Sequence, residues 1–333
     1  MREALFYEEF PTAEEPKTIR CTLCPHLCVL THHQAGLCMV RSNENGVMYS
    51  TNYGRISSIS MDPIEKKPLY HFHPGQMILS VGSWGCNFRC PWCQNWEIAQ
   101  EKPATQNVYS DRLIDIAINR QSDGIAFTYN EPLVWFEFVL DTTRMANANG
   151  LYNVLVTNGY INEEPFHLLL QTVTAMNIDL KGFQAKWYKK RCGGDLEVVK
   201  RNIRKAYLEG IHIELTTLII PGENDDDPTL RELVEWVASI SDTIPLHLTR
   251  YHPAHHFQKP PTDLSTMHHL YEVARGSLQY VYLGNHNDLD TSSTYCPSCN
   301  HLAIQRIGYE IRRFGINEQG ECTQCGKKLN LIL

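Results

Sequence analysis

The placement of the cysteines constrains this chain more than any other feature of its sequence. Four of the twelve lie between positions 21 and 38, three between 86 and 93 and four between 296 and 325, while Cys192 stands alone. The first ten residues carry acidic side chains and lack the apolar run of a signal peptide, so we expect a cytoplasmic chain with reduced thiols. Closely spaced cysteines in that setting indicate metal binding rather than disulfides.

The composition excludes several classes of function. Lys and Arg number 30 and Asp and Glu 37, and the resulting net charge of −7 argues against strong nucleic-acid binding, which needs clustered positive charge. No apolar run reaches the roughly 18 residues of a membrane span, so no membrane association is expected. With 333 residues, 43% of them apolar, the chain is long enough to bury a globular core.

Apolar runs rich in branched residues alternate with helical patterns through the middle of the chain. Strands are predicted at 77–81, 125–129, 154–157, 177–180, 211–220, 246–250 and 280–283. Helix starts are predicted at Ser110, Pro132, Asp195 and the pair Asp227-Pro228, and helix ends just before Gly150 and Gly210. Such alternation gives parallel strands with right-handed crossovers. Six or seven units favour an α/β fold of the partial (β/α)6 TIM-barrel type over a small doubly wound sheet.

Polar residues lie at the carboxyl ends of several predicted strands. These are Thr128-Tyr129-Asn130-Glu131, Thr157-Asn158-Gly159, Asp179-Leu180-Lys181, His247 with Thr249 and Arg250, and Asn285 with His286. In βα barrels the functional sites lie at the carboxyl ends of the strands. We therefore expect these groups to lie around Cys86, which follows the first strand.

The spacing Cys86-x3-Cys90-x2-Cys93 supplies three thiolates on one tight loop. A four-iron cluster normally takes four cysteines, so three leave one iron open, and an open position distinguishes a reactive metal site from a structural one. The aromatic residues Phe88 and Trp92 are predicted to shield such a cluster.

The loop Cys86-Asn87-Phe88-Arg89-Cys90-Pro91-Trp92-Cys93, directly after a first strand, resembles the radical SAM superfamily. Further matching segments begin at Asp62, Tyr129, Thr157, Ile178 and Ile220. With both terminal cysteine sets, they make the chain most similar to glycyl-radical-enzyme activases of the pyruvate formate-lyase activating type. Within that group it is most similar to the AmmeMemoRadiSam-system radical SAM enzymes, and the resemblance covers nearly the whole chain.

The resemblance implies a [4Fe-4S] cluster at Cys86, Cys90 and Cys93 whose open iron chelates S-adenosylmethionine (SAM). Reductive cleavage of SAM then gives methionine and a 5′-deoxyadenosyl radical that abstracts hydrogen from an unidentified substrate. It also implies an external electron donor of the flavodoxin or ferredoxin type. Memo-like and AMMECR-type proteins are implied as functional associates, and a protein or peptide as a possible substrate.

Residue roles follow from the same resemblance. Glu131 falls where the superfamily's Gly-Gly-Glu element binds the SAM amino group, although the element here reads Tyr-Asn-Glu, so the backbone approach to SAM is expected to differ. Asn158, Asp179 and Lys181 match strand-end positions that contact SAM, with Lys181 as a partner for its carboxylate. His247 matches a position near the ribose.

The two flanks carry their own cysteine sets. Cys296, Cys299, Cys322 and Cys325 form two CxxC knuckles, a zinc-ribbon pattern that is closed and therefore structural, with a rubredoxin-like iron as the less favoured alternative. Cys21, Cys24, Cys28 and Cys38 also offer four thiolates, and zinc and a second iron–sulfur cluster both fit them. We therefore predict a Cys-rich extension at 1–75, a radical SAM barrel at 76–286 and a zinc-ribbon-like domain at 287–333.

A lone cysteine and three histidine pairs lie outside these sets. Cys192 is a candidate for a hydrogen-atom or substrate-facing thiol, although a lone cysteine is more often a small buried residue. The pairs His32-His33, His255-His256 and His268-His269 show no ligand spacing with acids and are predicted to be surface or packing residues.

Three functions compete. The first is a radical SAM enzyme of the AmmeMemoRadiSam type, and the second is an activase of a glycyl-radical enzyme acting on a protein partner. The third is a non-catalytic iron–sulfur or zinc protein for binding or electron transfer. Such a carrier has no need for a strand-end site lined by Glu131, Asp179, Lys181 and His247.

Overall fold

A computed structural model describes residues 1–10, 17–286 and 288–333. The chain divides into two compact units, each assembled from separate segments. The first comprises Met1–Met61, Ile78–Met176 and Ala185–Ile211, and the second comprises Asp62–Met77, Asn177–Gln184 and His212–Leu333. The domain boundaries after residues 75 and 286 stay predictions.

The first part of the chain forms thirteen strands and six α-helices within the described residues. The strands are β1 (Arg2–Glu3), β2 (Tyr7–Glu9), β3 (Ile19–Cys21), β4 (Val29–Leu30), β5 (Arg41–Glu44), β6 (Val47–Ser50), β7 (Arg55–Ile56), β8 (Ser58–Pro63), β9 (Met77–Gly82), β10 (Gln106–Asn107), β11 (Gly124–Phe127), β12 (Tyr152–Thr157) and β13 (Ala175–Asp179). The helices are α1 (Trp96–Ala99), α2 (Ser110–Asn119), α3 (Phe136–Ala148), α4 (Glu163–Leu170), α5 (Ala185–Cys192) and α6 (Leu196–Leu208).

The first unit is built on parallel strands in the order β9-β11-β12. All four residues of β11 are buried, which fits a strand covered on both faces. The amino-terminal segment adds two small antiparallel sheets, β1-β6-β5 and β2-β3-β4. Cys21 ends β3, and Cys24, Cys28 and Cys38 lie in the segments that connect the strands.

A buried ion pair joins the amino-terminal sheets to helix α3. Arg41 Nη1 lies 2.8 Å from Glu137 Oε1, and the side chains are 1% and 4% exposed. The backbone N–H of Leu5 donates to the same carboxylate at 2.8 Å. Because both charges are removed from water, each depends on the other for its solvation.

The N-cap residues predicted for the helices of the first unit are only partly confirmed. Asp195 caps α6 and accepts from the backbone N–H of Glu197 at 2.9 Å, and Gly210 follows that helix with φ +78°. The prediction that Ser110 caps α2 is wrong. The N-cap is Tyr109, and the Ser110 hydroxyl pairs with Thr142 Oγ1 at 2.8 Å instead.

A 3-10 helix, Pro132–Trp135, precedes α3 in the first unit, and the elements that follow belong to the second unit. They are a 3-10 turn (Ile64–Lys66), β14 (His212–Ile219), α7 (Asp227–Ile240), β15 (Leu246–Arg250), α8 (Leu264–Arg275), β16 (Val281–Gly284), α9 (Leu289–Ser292), β17 (Thr294–Tyr295), β18 (Leu302–Ile307) and β19 (Glu310–Arg313). Strands β14, β15 and β16 are parallel neighbours in that order, and β17-β18-β19 form an antiparallel sheet. The cap of α7 is Asp226, one residue before the predicted start, and it accepts from the N–H of Thr229 at 2.9 Å.

The predicted α/β class with parallel strands is confirmed, and the observed strands match the predicted ones to within a few residues. Closure of the strands into a partial barrel stays a prediction. No helix in the described parts of the chain combines the length and apolar character needed to cross a membrane.

Candidate active site

The central cysteine loop begins at the carboxyl end of β9 with a glycine whose conformation other residues rarely adopt. Gly85 has φ +92°, and a Cβ placed on it would lie 2.6 Å from the carbonyl oxygen of Cys38. The close approach of two backbones therefore requires glycine at this position. It brings the loop directly against the amino-terminal cysteine segment.

Cys86 is surrounded by hydrogen-bond donors. The backbone N–H of Phe88 lies 3.3 Å from its sulfur and Asn158 Nδ2 lies 3.8 Å from it. Burial raises the pKa of the Cys86 thiol well above its usual value, and Glu131, Cys90 and Cys93 raise it further. A thiol in this setting ionises when a metal supplies the compensating charge, and N–H groups directed at sulfur are typical of iron–sulfur ligands.

The aromatic residues of the cysteine loop are buried, with Phe88 2% and Trp92 4% exposed, and their shielding of a cluster stays a prediction. Trp92 stacks on Trp187 with 5.5 Å between ring centroids. A Cβ on Gly194 would lie 2.3 Å from the Phe88 ring, so only glycine fits there. The three thiols, the N–H donors and this apolar cover together fit a [4Fe-4S] cluster.

Cys192 lies at the end of α5 and is fully buried. Its carbonyl oxygen accepts from the backbone N–H of Arg89 at 3.0 Å. The residue thus anchors the cysteine loop through its backbone, and its role as a reactive thiol stays a prediction.

Glu131 links the ends of β11 and β12 through three hydrogen bonds. Its Oε1 accepts from Thr157 Oγ1 at 2.6 Å and from the N–H of Leu133 at 3.0 Å, and its Oε2 accepts from the N–H of Asn158 at 2.8 Å. The residue is 4% exposed. The carboxylate is thus oriented at the strand ends, next to Cys86.

Asn158 connects that carboxylate to the cysteine loop and onward to the amino-terminal segment. Its Nδ2 donates to Asn87 Oδ1 at 2.8 Å, and Asn87 Nδ2 donates to the carbonyl of Tyr160 at 2.7 Å. The carbonyl of Asn87 lies 2.7 Å from His26 Nε2. The structure therefore brings Cys86, Glu131 and Asn158 together, while the roles assigned to these three residues stay predictions.

Tyr129, in the segment that the resemblance aligns with the Gly-Gly-Glu element, adopts a backbone conformation that glycine favours. Tyr129 has φ +73°, and the N–H of Asn130 donates to the carbonyl of Thr128 at 3.0 Å across it. This is a γ-turn of the rare, strained type. The Asn130 side chain holds the turn by accepting from Ser83 N–H at 2.8 Å and donating to the Gly85 carbonyl at 3.1 Å.

The other predicted SAM contacts lie in the second unit. Lys181 Nζ pairs with Asp179 Oδ2 at 3.0 Å just after β13. His247, on β15, is 2% exposed, and its Nε2 lies 2.7 Å from Glu214 Oε2. The other carboxylate oxygen of Glu214 accepts from the backbone N–H of His71 at 2.7 Å and lies 3.1 Å from His212 Nε2. Sequence reasoning missed Glu214, a fully buried carboxylate in the middle of β14.

Glu214 remains ionised because of its partners. Burial raises the pKa of this carboxyl, but the hydrogen bonds and charges of His212 and His247 outweigh that effect and hold it well below its usual value. The carboxylate therefore fixes the ring of His247 and accepts hydrogen bonds from three residues, His71, His212 and His247.

The carboxyl-terminal cysteines converge as predicted. The Sγ atoms of Cys296 and Cys325 are 3.6 Å apart, those of Cys299 and Cys322 are also 3.6 Å apart, and all four lie within 4.8 Å of one another. Four thiolates at about 2.3 Å from one metal in tetrahedral geometry have sulfur atoms about 3.8 Å apart. The group therefore fits a single tetrahedral ion.

The amino-terminal cysteines line one cavity. Cys21, Cys24, Cys28 and Cys38 share it with Asn87 of the central loop, among other residues. Burial raises the pKa of Cys24 and raises that of Cys38 to about 11, and neighbouring cysteines add to both shifts. A metal at this set stays a prediction, and so does the choice between zinc and a second cluster.

The prediction that the histidine pairs lack acidic neighbours is wrong for two of the three. His33 Nδ1 lies 2.8 Å from Glu44, with His32 nearby, and His268 meets His286 and Asp288. These contacts join residues on separate elements, which sequence spacing does not show.

Comparisons with known proteins agree with this geometry. A model of the radical SAM superfamily matches residues 82–234. The chain is 39% identical to an uncharacterized protein of Methanocaldococcus jannaschii over the full length of both. The chain belongs to the radical SAM superfamily.

More distant relatives have names that specify a reaction. The chain is 22% identical to the pyruvate formate-lyase-activating enzyme of Clostridium pasteurianum, over 50% of this chain and 72% of that one. A crystal structure of a domain of pyruvate-formate lyase-activating enzyme from Bacteroides vulgatus covers 49% of this chain and 99% of its own, with 21% identity and a TM-score of 0.43. The superfamily consists of enzymes that bind an iron–sulfur cluster and SAM, so this chain is an enzyme of that kind.

Proposed function

We propose that this chain is a cytoplasmic radical SAM enzyme of the AmmeMemoRadiSam type that removes hydrogen from a substrate. The observation that carries the proposal is the convergence of Cys86, Glu131 and Asn158 beside a three-cysteine loop. When bound, the [4Fe-4S] cluster and SAM supply one-electron cleavage of a carbon–sulfur bond and a 5′-deoxyadenosyl radical that takes the hydrogen atom.

The residues of the first unit then have distinct tasks. Cys86, Cys90 and Cys93 hold the cluster, and the N–H groups of Phe88 and Asn158 donate to the Cys86 sulfur. Hydrogen bonds to a cluster sulfur stabilise its reduced, more negative state. The aromatic cover limits access of water to the loop.

Glu131 is proposed to bind the SAM amino group. Its carboxylate is held by three donors of this chain, so it needs no reorientation to receive a cation. Lys181 is proposed to bind the SAM carboxylate, with Asp179 keeping the ammonium in place at 3.0 Å. His247 is proposed to lie near the ribose, oriented by Glu214.

The flanking sets are proposed to hold their own metals. The tetrahedral spacing of the carboxyl-terminal cysteines supports zinc. The amino-terminal set is proposed to hold zinc or a second iron–sulfur cluster, and the cavity it shares with Asn87 would suit electron transfer to the central loop.

The test is anaerobic reconstitution of the full chain, reduction with dithionite and measurement of 5′-deoxyadenosine and methionine. Wild type is expected to produce both, and Cys86→Ala and Cys90→Ala to produce neither. Glu97→Gln, at an exposed position just after the loop, is the matched control and should behave as wild type. Equal SAM cleavage in the cysteine variants would contradict the proposal.

Metal analysis of the same samples separates the remaining assignments. About four irons per chain would exclude a second cluster in the amino-terminal set, whereas about eight irons would support one there. The partners are tested by adding a flavodoxin or ferredoxin as electron donor, and by co-purification with Memo-like and AMMECR-type proteins of the same organism.

Similarity to pyruvate formate-lyase-activating enzyme over half of the chain favours a second candidate function. In that case the chain generates a glycyl radical on a protein partner. An electron paramagnetic resonance signal of a glycyl radical in the partner, dependent on SAM and Cys86, would support it. Hydrogen removal from a small molecule or peptide without such a signal would favour the first proposal.

A further inference from the structure

Three potential metal ligands meet in the second unit, and none of them belongs to the proposed SAM site or to a cysteine set. His268 lies on α8, His286 follows β16 and Asp288 caps α9. Their ligand atoms all lie within 4.8 Å of one another, and the two imidazole rings are 5.5 Å apart and nearly perpendicular. Residues from three separate segments of the chain thus bring two imidazoles and a carboxylate together.

The carboxylate of Asp288 is held in place by its own helix turn. Its Oδ2 accepts from Thr291 Oγ1 at 2.9 Å, and its Oδ1 accepts from the backbone N–H of Asp290 at 3.3 Å. Each carboxylate oxygen has two acceptor positions, so each keeps one for a further partner. In metal sites, a carboxylate that binds the metal is commonly oriented by hydrogen bonds from neighbouring groups.

The cluster borders a pocket of about 450 Å³. His286 and Asp288 line it together with Tyr70, Arg306 and Tyr309. A cation held by two imidazoles and one carboxylate would have coordination positions left over, and the pocket leaves room for an oxygen ligand at them. The site lies at the carboxyl end of β16, where Asn285 Nδ2 donates to the carbonyl of Arg250 at the end of β15.

We propose that His268, His286 and Asp288 form a binding site for one first-row divalent cation of the Fe²⁺, Co²⁺, Ni²⁺ or Zn²⁺ class. Imidazole and carboxylate together suit these ions, and two histidines with one carboxylate leave positions open for a ligand. The site differs in kind from the three cysteine sets, which offer only thiolates. It does not depend on the proposed radical chemistry.

The test is a Co²⁺ titration of the full chain, purified with its cysteine sites already loaded and washed with a mild chelator. Wild type is expected to bind one added Co²⁺ whose spectrum lacks the intense charge-transfer band of thiolate-bound cobalt. His268→Ala and Asp288→Asn are expected to weaken this binding by tenfold or more. Thr291→Val, which removes only the orienting hydroxyl, is expected to weaken it about tenfold.

His269→Ala is the matched control, because His269 is the next residue of the same helix and pairs with Asp227 at 2.7 Å. It should bind Co²⁺ as wild type does. His33→Ala tests the other histidine–carboxylate group and should also leave the binding unchanged. Wild-type affinity in His268→Ala and Asp288→Asn, or no added Co²⁺ in wild type, would overturn the proposal. Circular dichroism of each variant confirms that lost binding does not reflect unfolding.

Discussion

The buried imidazole of His71 allows a quantitative test of the hydrogen bonding inside the second unit. Its Nδ1 lies 2.6 Å from the carbonyl of Asn330, which can only accept, so this nitrogen carries the hydrogen of the neutral ring. Its Nε2 lies 2.6 Å from the hydroxyl of Tyr282, which lies 2.8 Å from Thr294 Oγ1. Arg306 Nη1 donates to that Thr294 oxygen at 2.7 Å. The chain of hydrogen bonds therefore runs in one direction, from Arg306 through Thr294 and Tyr282 to His71.

Protonation of His71 would disturb this chain, because a hydrogen on Nε2 would meet the hydroxyl hydrogen of Tyr282. Burial is the main reason that the pKa of His71 falls from 6.5 to about 3, and the charges of Arg306 and His212 lower it further against the opposing effect of Glu214. Since the unfolded chain binds the proton below pH 6.5 and the folded chain does not, stability is lost as the pH falls from 6.5 towards 3. At about 1.36 kcal/mol per pH unit, going from pH 7 to pH 5 costs about 2 kcal/mol from this residue alone.

The perturbation is His71→Gln, which stays neutral at both pH values. The assay is native-state hydrogen exchange of β16 and β18, read as a local unfolding free energy at pH 7 and pH 5 after correction for intrinsic exchange rates. From pH 7 to pH 5, the local unfolding free energy of wild type should fall by about 2 kcal/mol more than that of the variant. His269→Gln, at an exposed position, should keep the wild-type dependence. Equal losses in wild type and His71→Gln would refute the reasoning.

Four further predictions concern the candidate sites and their supports. Glu131→Gln should lower stability by roughly 1–3 kcal/mol, since an amide nitrogen replaces one accepting oxygen in front of a buried N–H, and should weaken SAM binding measured calorimetrically. Glu137→Gln should cost about 3–5 kcal/mol in urea unfolding because it leaves the Arg41 guanidinium buried without a countercharge, and a double change to Met and Leu should recover most of it. At Tyr129, with φ +73°, a change to Ile should destabilise by roughly 1–3 kcal/mol in thermal melts while a change to Gly should not. Cys299→Ser should remove one metal ion per chain by elemental analysis and speed hydrogen exchange in β17–β19, because a structural metal contributes folding energy.

Features encoded in short stretches of sequence were predictable. The cysteine loop after β9 is local in the chain, and so are the capping of α6 by Asp195 and the glycine after it. The carboxyl-terminal set was also predictable, because four thiols in two CxxC pairs have few ways to converge other than around one ion.

Features that depend on distant partners were not predictable. Glu214 sits in an apolar strand pattern, and its partners His247 and His71 lie 33 and 143 residues away in sequence. Ser110 has the residue type of an N-cap, but a hydroxyl on the neighbouring helix α3 takes its hydrogen bond. The preference of a residue type for a helix position predicts the structure poorly where a tertiary contact offers its side chain a better hydrogen-bond partner.

The Tyr129-Asn130-Glu131 segment shows how a departure from a family pattern can preserve a backbone path. Glycines lower the cost of a left-handed turn, and without them the turn at Tyr129 must be held by other bonds. Asn130 supplies two of these bonds, to the backbone of Ser83 and Gly85, and Asn95 adds a third by donating to the Tyr129 carbonyl at 2.8 Å. All three partners belong to the segment that carries the cysteine loop. The turn that presents Glu131 is therefore fastened to the loop that presents Cys86, so a change that loosens one should displace the other.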